Sequence, residues 1–135
     1  MYIVKRLYGQ TIIVVTAVGP YNGDSLFQMS GEVATLTESM AGRVVRINDM
    51  THAHMGLMDL VNMLAFDVRG WAGTGSDPRV INLTVASDPI QQIGVQVADL
   101  MLGRRRSPIF LSLSEALAYA RRQVERQSED RAQLN

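Results

Sequence analysis

Between Arg79 and Val124 the chain changes hydrophobic period three times. Ile81, Leu83 and Val85 alternate with Asn82, Thr84 and Ala86, the period of a half-buried strand. Asp88 and Pro89 then supply an N-cap and a first-turn proline, and Ile90, Ile93, Val97 and Met101 follow at helical spacing up to Gly103. Ser107 to Leu111 reads as the last strand. Ser112 and Glu115 have capping-box spacing at the start of a last helix, whose buried stripe is Leu113, Ala116, Leu117, Ala120 and Val124. Strand, helix, strand and helix follow one another with little slack.

The first half carries the same two periods. Tyr2 to Tyr8 and Thr11 to Val18 read as strands joined at Gly9-Gln10, a hairpin signal. A loop of breakers follows from Gly19 to Gly23, and Asp24 or Ser25 is expected to cap a helix. Its apolar face is Leu26, Met29, Val33, Leu36 and Met40; Gly31 weakens it and Gly42 ends it. Arg43 to Asn48 is a third strand and Asp49 to His54 a loop. A helix striped with Leu57, Leu60, Val61, Leu64, Ala65 and Val68 comes next, then a glycine-rich surface loop from Gly70 to Pro78. From Glu125 onward the chain is polar and expected to fray. The expected organisation is one domain over residues 1–124 and a polar tail over 125–135.

Sidedness follows from the strands. A parallel sheet covered on both faces has continuously apolar strands. Here Asn82 and Thr84 share one face, and Arg46 sits on a comparable one. The expectation is an α/β fold with a mixed sheet, an N-terminal antiparallel hairpin, parallel later strands and helices mainly on one face. Each strand-helix-strand crossover is expected to be right-handed. Strand two is the anomaly, because Thr11 to Val18 is apolar on both faces. An open sheet face with Ile13 and Val15, or Ile12 and Val14, would call for a cover, so a homodimer or a protein partner is expected there; the competing expectation is intrachain, with the N-terminal hairpin or the C-terminal tail folded across these residues.

Composition narrows the classes. At 135 residues and 47% apolar, the chain can build a real core. Lys+Arg and Asp+Glu both number 13, so no global field draws nucleic acid or an anionic membrane, and neither is expected as a partner. No cysteine is present, which removes disulfides, thiolate metal sites and cysteine nucleophiles. The apolar run at the N-terminus is short and broken by Lys5 and Arg6, unlike a signal peptide. No run approaches the roughly 20 residues that span a bilayer. A cytoplasmic location is expected.

The order of elements resembles the STAS domains, the SpoIIAA-like family of anti-sigma factor antagonists. Locally the resemblance rests on the strand Val44-Val45-Arg46-Ile47, a polar loop, and Gly56-Leu57 opening a helix. It rests also on the closing strand RVINLTVA, a helix, the strand SPIFLS and the helix LSEALAYARRQV. The resemblance implies a non-enzymatic regulatory domain. It further implies a switch by phosphorylation of a serine at the start of the helix after the third strand, where the family reads Asp-Ser-Ser-Gly-Leu. Here Ala53-His54-Met55 stands in place of Asp-Ser-Ser, so the phosphoserine does not carry over; Thr51 is the nearest hydroxyl and lies earlier.

The polar stretch from Asn48 to His54 is the best candidate site, because it follows a strand's carboxyl end, where open α/β sheets place ligands. Asp49, Thr51, His52 and His54, with Ser87 and Asp88 at another strand end, form the candidate ligand or partner loop. His52 and His54 have the chemistry to ligate a metal with Asp49 or to act as a base. The plainer reading is preferred: Asp49 and Thr51 cap the helix that follows, and the histidines are surface loop residues. No metal, no cofactor and no catalytic set is assigned, since spacing assembles no nucleophile, base and orienting group. Gly73-Thr74-Gly75 follows a helix and lacks the Gly-Lys-Ser/Thr ending of a phosphate loop. Arg104 to Arg106, with Arg121 and Arg122, read as solvated charge and helix-end complements. Met50, Met55, Met58 and Met63 read as core filling. The leading function is thus a regulatory or protein-interaction module; the alternative is a small-ligand-binding domain using residues 48–54 and the helix start at 88, with metal-assisted hydrolysis a distant third.

Overall fold

A tight hairpin starts the sheet. The Leu7 N–H donates to the Ile12 carbonyl at 3.0 Å, and Gly9 between them has φ of +70°, a region that favours glycine. The hairpin joins β1 (Tyr2–Arg6) to β2 (Ile12–Pro20). The computed structural model describes residues 1–20, 22–59, 62–63, 77–101, 103 and 107–134. The remaining strands are β3 (Val44–His54), β4 (Val80–Val85) and β5 (Ile109–Phe110). They form one 5-stranded sheet in the order β1-β2-β3-β4-β5. The β1-β2 pair is antiparallel and every later pair is parallel, as the sequence predicts.

The helices are α1 (Gly23–Glu38), α2 (Pro89–Met101) and α3 (Leu113–Leu134); residues 57–59 and 62–63 are also helical. Asn22 caps α1, its side-chain oxygen accepting from the N–H groups of Asp24 at 2.9 Å and Ser25 at 3.1 Å. The cap therefore lies before Asp24 and Ser25, the expected capping residues. Ser112 starts α3 as expected, its hydroxyl accepting from the Glu115 N–H at 3.3 Å. Residues 125–134, assigned by sequence to a frayed tail, continue as helix. The apolar stripe ends at Val124, but Glu, Arg, Gln and Ala beyond it are good helix formers.

The side of the sheet opposite α1 is not left open, because α3 covers it. Ile12 and Val14 of β2 pack with Val45, Ile47, Leu83 and Val85, and α3 covers them through Ala116 and Ala120. Ile13 and Val15, on the opposite face, pack with Leu26, Met29 and Val33 of α1. Ile12 and Ile13 are both 0% exposed. Strand two is apolar on both faces because it is buried on both, and the sheet-face homodimer loses its reason. Its cover is intrachain.

The polar residues that suggested an open face instead form a half-buried layer beside α1. Arg46 Nε donates to Asn48 Oδ1 at 2.8 Å, and Asn48 Nδ2 donates to Asn82 Oδ1 at 2.9 Å. The Arg46 guanidinium also reaches Met29 Sδ on α1 at 3.7 Å. Polar side chains on this face satisfy one another across strands, so a helix can cover them without stranding a donor.

The stripe residues Leu60, Val61, Leu64, Ala65 and Val68, the glycine-rich loop up to Ser76, and Arg104 to Arg106 lie outside the described residues.

Candidate functional site

The stretch from Asp49 to His54 is not a loop. It is the carboxyl half of β3, paired with β2 as far as Pro20 opposite His54. The pairing contains one irregularity: Thr16 faces Asp49, and two residues on Val18 faces His52, three residues on. One extra residue therefore sits in β3, a β-bulge. The Asp49 carboxylate holds it. Its Oδ1 accepts from the Thr51 N–H at 3.1 Å and from the Thr51 hydroxyl at 2.7 Å, while the residue is 5% exposed. Asp49 and Thr51 are thus partners within the strand and cap no helix, which corrects the plainer reading of these two residues.

The bulge also decides which side chains share a face. In an unbroken strand Asp49 would align with Thr51 and Ala53. The extra residue instead places His52 and His54 on the Asp49 side, opposite Val18 and Pro20. Both histidines are exposed, whereas Asp49 is buried and occupied. Among the described residues, no group of three His, Cys, Asp or Glu side chains is placed to hold a metal. A His52→Ala, His54→Ala double variant is expected to melt within a few degrees of the parent, since exposed changes cost under about 0.5 kcal/mol. Differential scanning calorimetry with metal analysis of the purified protein checks this. A stoichiometric metal lost in the variant would count against it.

Ser87 and Asp88 follow the end of β4, whose Val85 is paired with Asp49. They therefore lie at the same end of the sheet as the β3 extension. Ser87 is exposed. Asp88 caps α2 as the sequence predicts, its Oδ1 accepting from the Ile90 N–H at 2.9 Å. Sequence reasoning missed Gln91 and Gln92. Gln91 is buried and its Nε2 donates to the Met50 carbonyl at 3.3 Å, on the length of β3 that outlasts β4. Gln92 Nε2 donates to the Ala86 carbonyl at 2.9 Å. Together they pin the start of α2 to both strand ends. The signal available was a Gln-Gln pair breaking an otherwise apolar helix.

Below this surface, Met50 and Met55 pack with Ala17 and Ala86, and Met63 joins them. These methionines fill core as expected, while Met58 is 68% exposed. Gly56 opens the helical residues that follow, its N–H donating to Asp59 Oδ2 at 2.9 Å, the backward half of a capping box. Arg122 lies over the Tyr119 ring at 5.9 Å from its centroid, and Tyr119 meets Phe110 at 5.4 Å. That arginine is engaged locally. No helix among the described residues is long and apolar enough to cross a membrane.

An antiparallel hairpin running into parallel strands, with helices on both faces, defines the SpoIIAA-like, STAS-type fold. Solved structures agree. The unphosphorylated form of the anti-sigma factor antagonist SpoIIAA matches with a TM-score of 0.64 at 11% identity, over 90% of this chain and 98% of that one. An uncharacterised DUF3478-family protein with a SpoIIAA-like fold, from Shewanella loihica PV-4, matches with a TM-score of 0.61 at 14% identity, over 89% and 92%. An anti-sigma factor antagonist from Mycobacterium paratuberculosis matches with a TM-score of 0.54 at 15% identity, over 90% and 93%. No family model matches the chain, and no curated protein matches it significantly. The likeness is one of fold.

Proposed function

We propose that this chain is a non-enzymatic regulatory domain that docks with another protein and has no phosphoserine switch. The observation that carries the reading is the match, over nine-tenths of the chain, to two anti-sigma factor antagonists. The docking surface is the carboxyl end of the sheet, where His52, His54 and Ser87 are exposed. Its location is cytoplasmic, where such a partner would be met.

Loss of the switch is supported by what stands at the helix start. Met55 occupies the place of a hydroxyl residue and is buried with Ala17 and Met50. Thr51, the nearest hydroxyl, donates to the Asp49 carboxylate. Incubation with a cognate kinase followed by mass spectrometry is expected to leave residues 51–58 unmodified. Stoichiometric phosphate on Thr51 would overturn this part.

Docking is tested by a photoreactive amino acid placed at His52 or His54 in cells, with Ser128 on α3 as control. Crosslinks from both strand positions to one protein, absent from the control, support the reading. Crosslinks to nothing at either position sink it. The small-ligand alternative has less support, because the Asp49 and Asp88 carboxylates already accept backbone N–H groups of the chain.

A further inference from the structure

The cap of α1 carries a reactive pair. Asn22 and Gly23 are the chain's one Asn-Gly step; the other asparagines precede Asp49, Met63 and Leu83 or end the chain. Both residues of the pair are exposed. Asn22 has an extended backbone, and its Oδ1 accepts the N–H groups of Asp24 and Ser25. Those bonds turn the side-chain carbonyl along the first turn, past the Gly23 nitrogen that lies between. Gly23 is the first helical residue, so its own N–H has no acceptor within the helix. Having no Cβ, it leaves that nitrogen open to approach.

We propose that Asn22 is a site of spontaneous covalent modification, losing its amide through a cyclic imide closed by the Gly23 nitrogen. That nitrogen, its proton given to a solvent base, attacks Asn22 Cγ. Negative charge develops on Oδ1, where the Asp24 and Ser25 N–H groups and the positive end of the helix already point. The Cγ–Nδ2 bond breaks, and the amide nitrogen takes up a proton and leaves as ammonia. Water then opens the ring. Cleavage of the bond from the Gly23 nitrogen to Cγ gives aspartate. Cleavage of its bond to the main-chain carbonyl carbon gives isoaspartate, whose chain runs on through Cβ and Cγ.

The two products act on α1 in opposite directions. Aspartate keeps a capping oxygen and adds an anion at a helix N-terminus, both favourable. Isoaspartate takes the side-chain carbonyl into the backbone, so the cap is lost. It also takes the Asn22 main-chain carbonyl out of the chain, and that carbonyl accepts the Leu26 N–H at 3.0 Å. Leu26 is buried in the core with Ile13 and Val15, so a loosened first turn is felt there. The change is made at the carboxyl end of the sheet, two residues beyond Pro20, which is paired with His54.

Incubation of the folded full chain in mildly alkaline buffer, followed by peptide mass spectrometry and enzymatic labelling of isoaspartate, tests this. Conversion is expected at Asn22 well before Asn48 or Asn82. Gly23→Ala, at a helical position without positive φ, is expected to slow it severalfold with an unchanged circular dichroism spectrum. Asn22→Asp is expected to unfold in urea at the parent's midpoint or above it, and the isoaspartate-bearing fraction below it. If Asn22 stays intact in the folded chain while the urea-unfolded chain is converted, the cap protects it and the inference is overturned. Conversion shared evenly with Asn48 and Asn82, or not slowed by Gly23→Ala, overturns it equally.

Discussion

Ile12→Ala and Ile13→Ala are each expected to lower the unfolding free energy by about 2–5 kcal/mol, the range for deleting a fully buried aliphatic side chain. These neighbours point to opposite faces of β2 and neither is exposed. Ile12 lies in the core under α3, with Val45, Leu83 and Ala116. Ile13 lies in the core under α1, with Leu26, Met29 and Val33. Each truncation leaves a cavity between a strand and a helix that are both held in place by other contacts, so relaxation is limited. A sheet with one open face would respond differently: one variant would be costly and its neighbour nearly neutral. Urea unfolding of the two variants side by side distinguishes the architectures. The melting temperature is expected to fall by roughly 7–18 °C in both. A near-neutral Ile13→Ala would mean that α1 does not cover the sheet as described.

Asp99→Ala is expected to cost about 2–3 kcal/mol or more, since among its contacts it removes both hydrogen bonds from Ser107 to the carboxylate and leaves their donors behind. Asp99 Oδ2 takes the Ser107 N–H and Oδ1 takes the Ser107 hydroxyl, just before β5 begins. The contact fastens the last turn of α2 to the strand that follows it. Asp99→Asn keeps one oxygen acceptor and is expected to lose less. Ser107→Ala keeps the backbone bond and removes the hydroxyl one, so its cost is expected to be about half that of Asp99→Ala. Hydrogen exchange at the Ser107 amide gives a local readout, with faster exchange expected in Asp99→Ala. An unchanged amide there would show that the carboxylate does not hold the strand end.

The candidate site was legible in part. Asp88 announces itself as a cap because proline follows it and an apolar helix follows that. Met50 and Met55 are correctly read as core. Asp49 was expected to cap a helix, and the strand bulge it stabilises instead was not legible. A bulge exists only between two strands, and its place here depends on how β3 registers against β2, which lie more than twenty residues apart in the chain. The same register decides that His52 and His54, rather than Thr51 and Ala53, share the Asp49 face.

By itself the sequence determined the order and type of the elements, the hairpin start, the caps at Asp88 and Ser112, and which residues share a side of each helix. These are local matters, set by period, turn residues and capping chemistry within a few positions. The tertiary structure decided which way each side faces. Periodicity groups Ile90, Ile93, Val97 and Met101 but carries no direction, and hydrogen bonds from Gln91, Gln92 and Ser107 turn that group outward. It likewise decided that α1 and α3 take opposite faces of the sheet, because both faces of β2 are apolar and each gains by removing its own share of that surface from water.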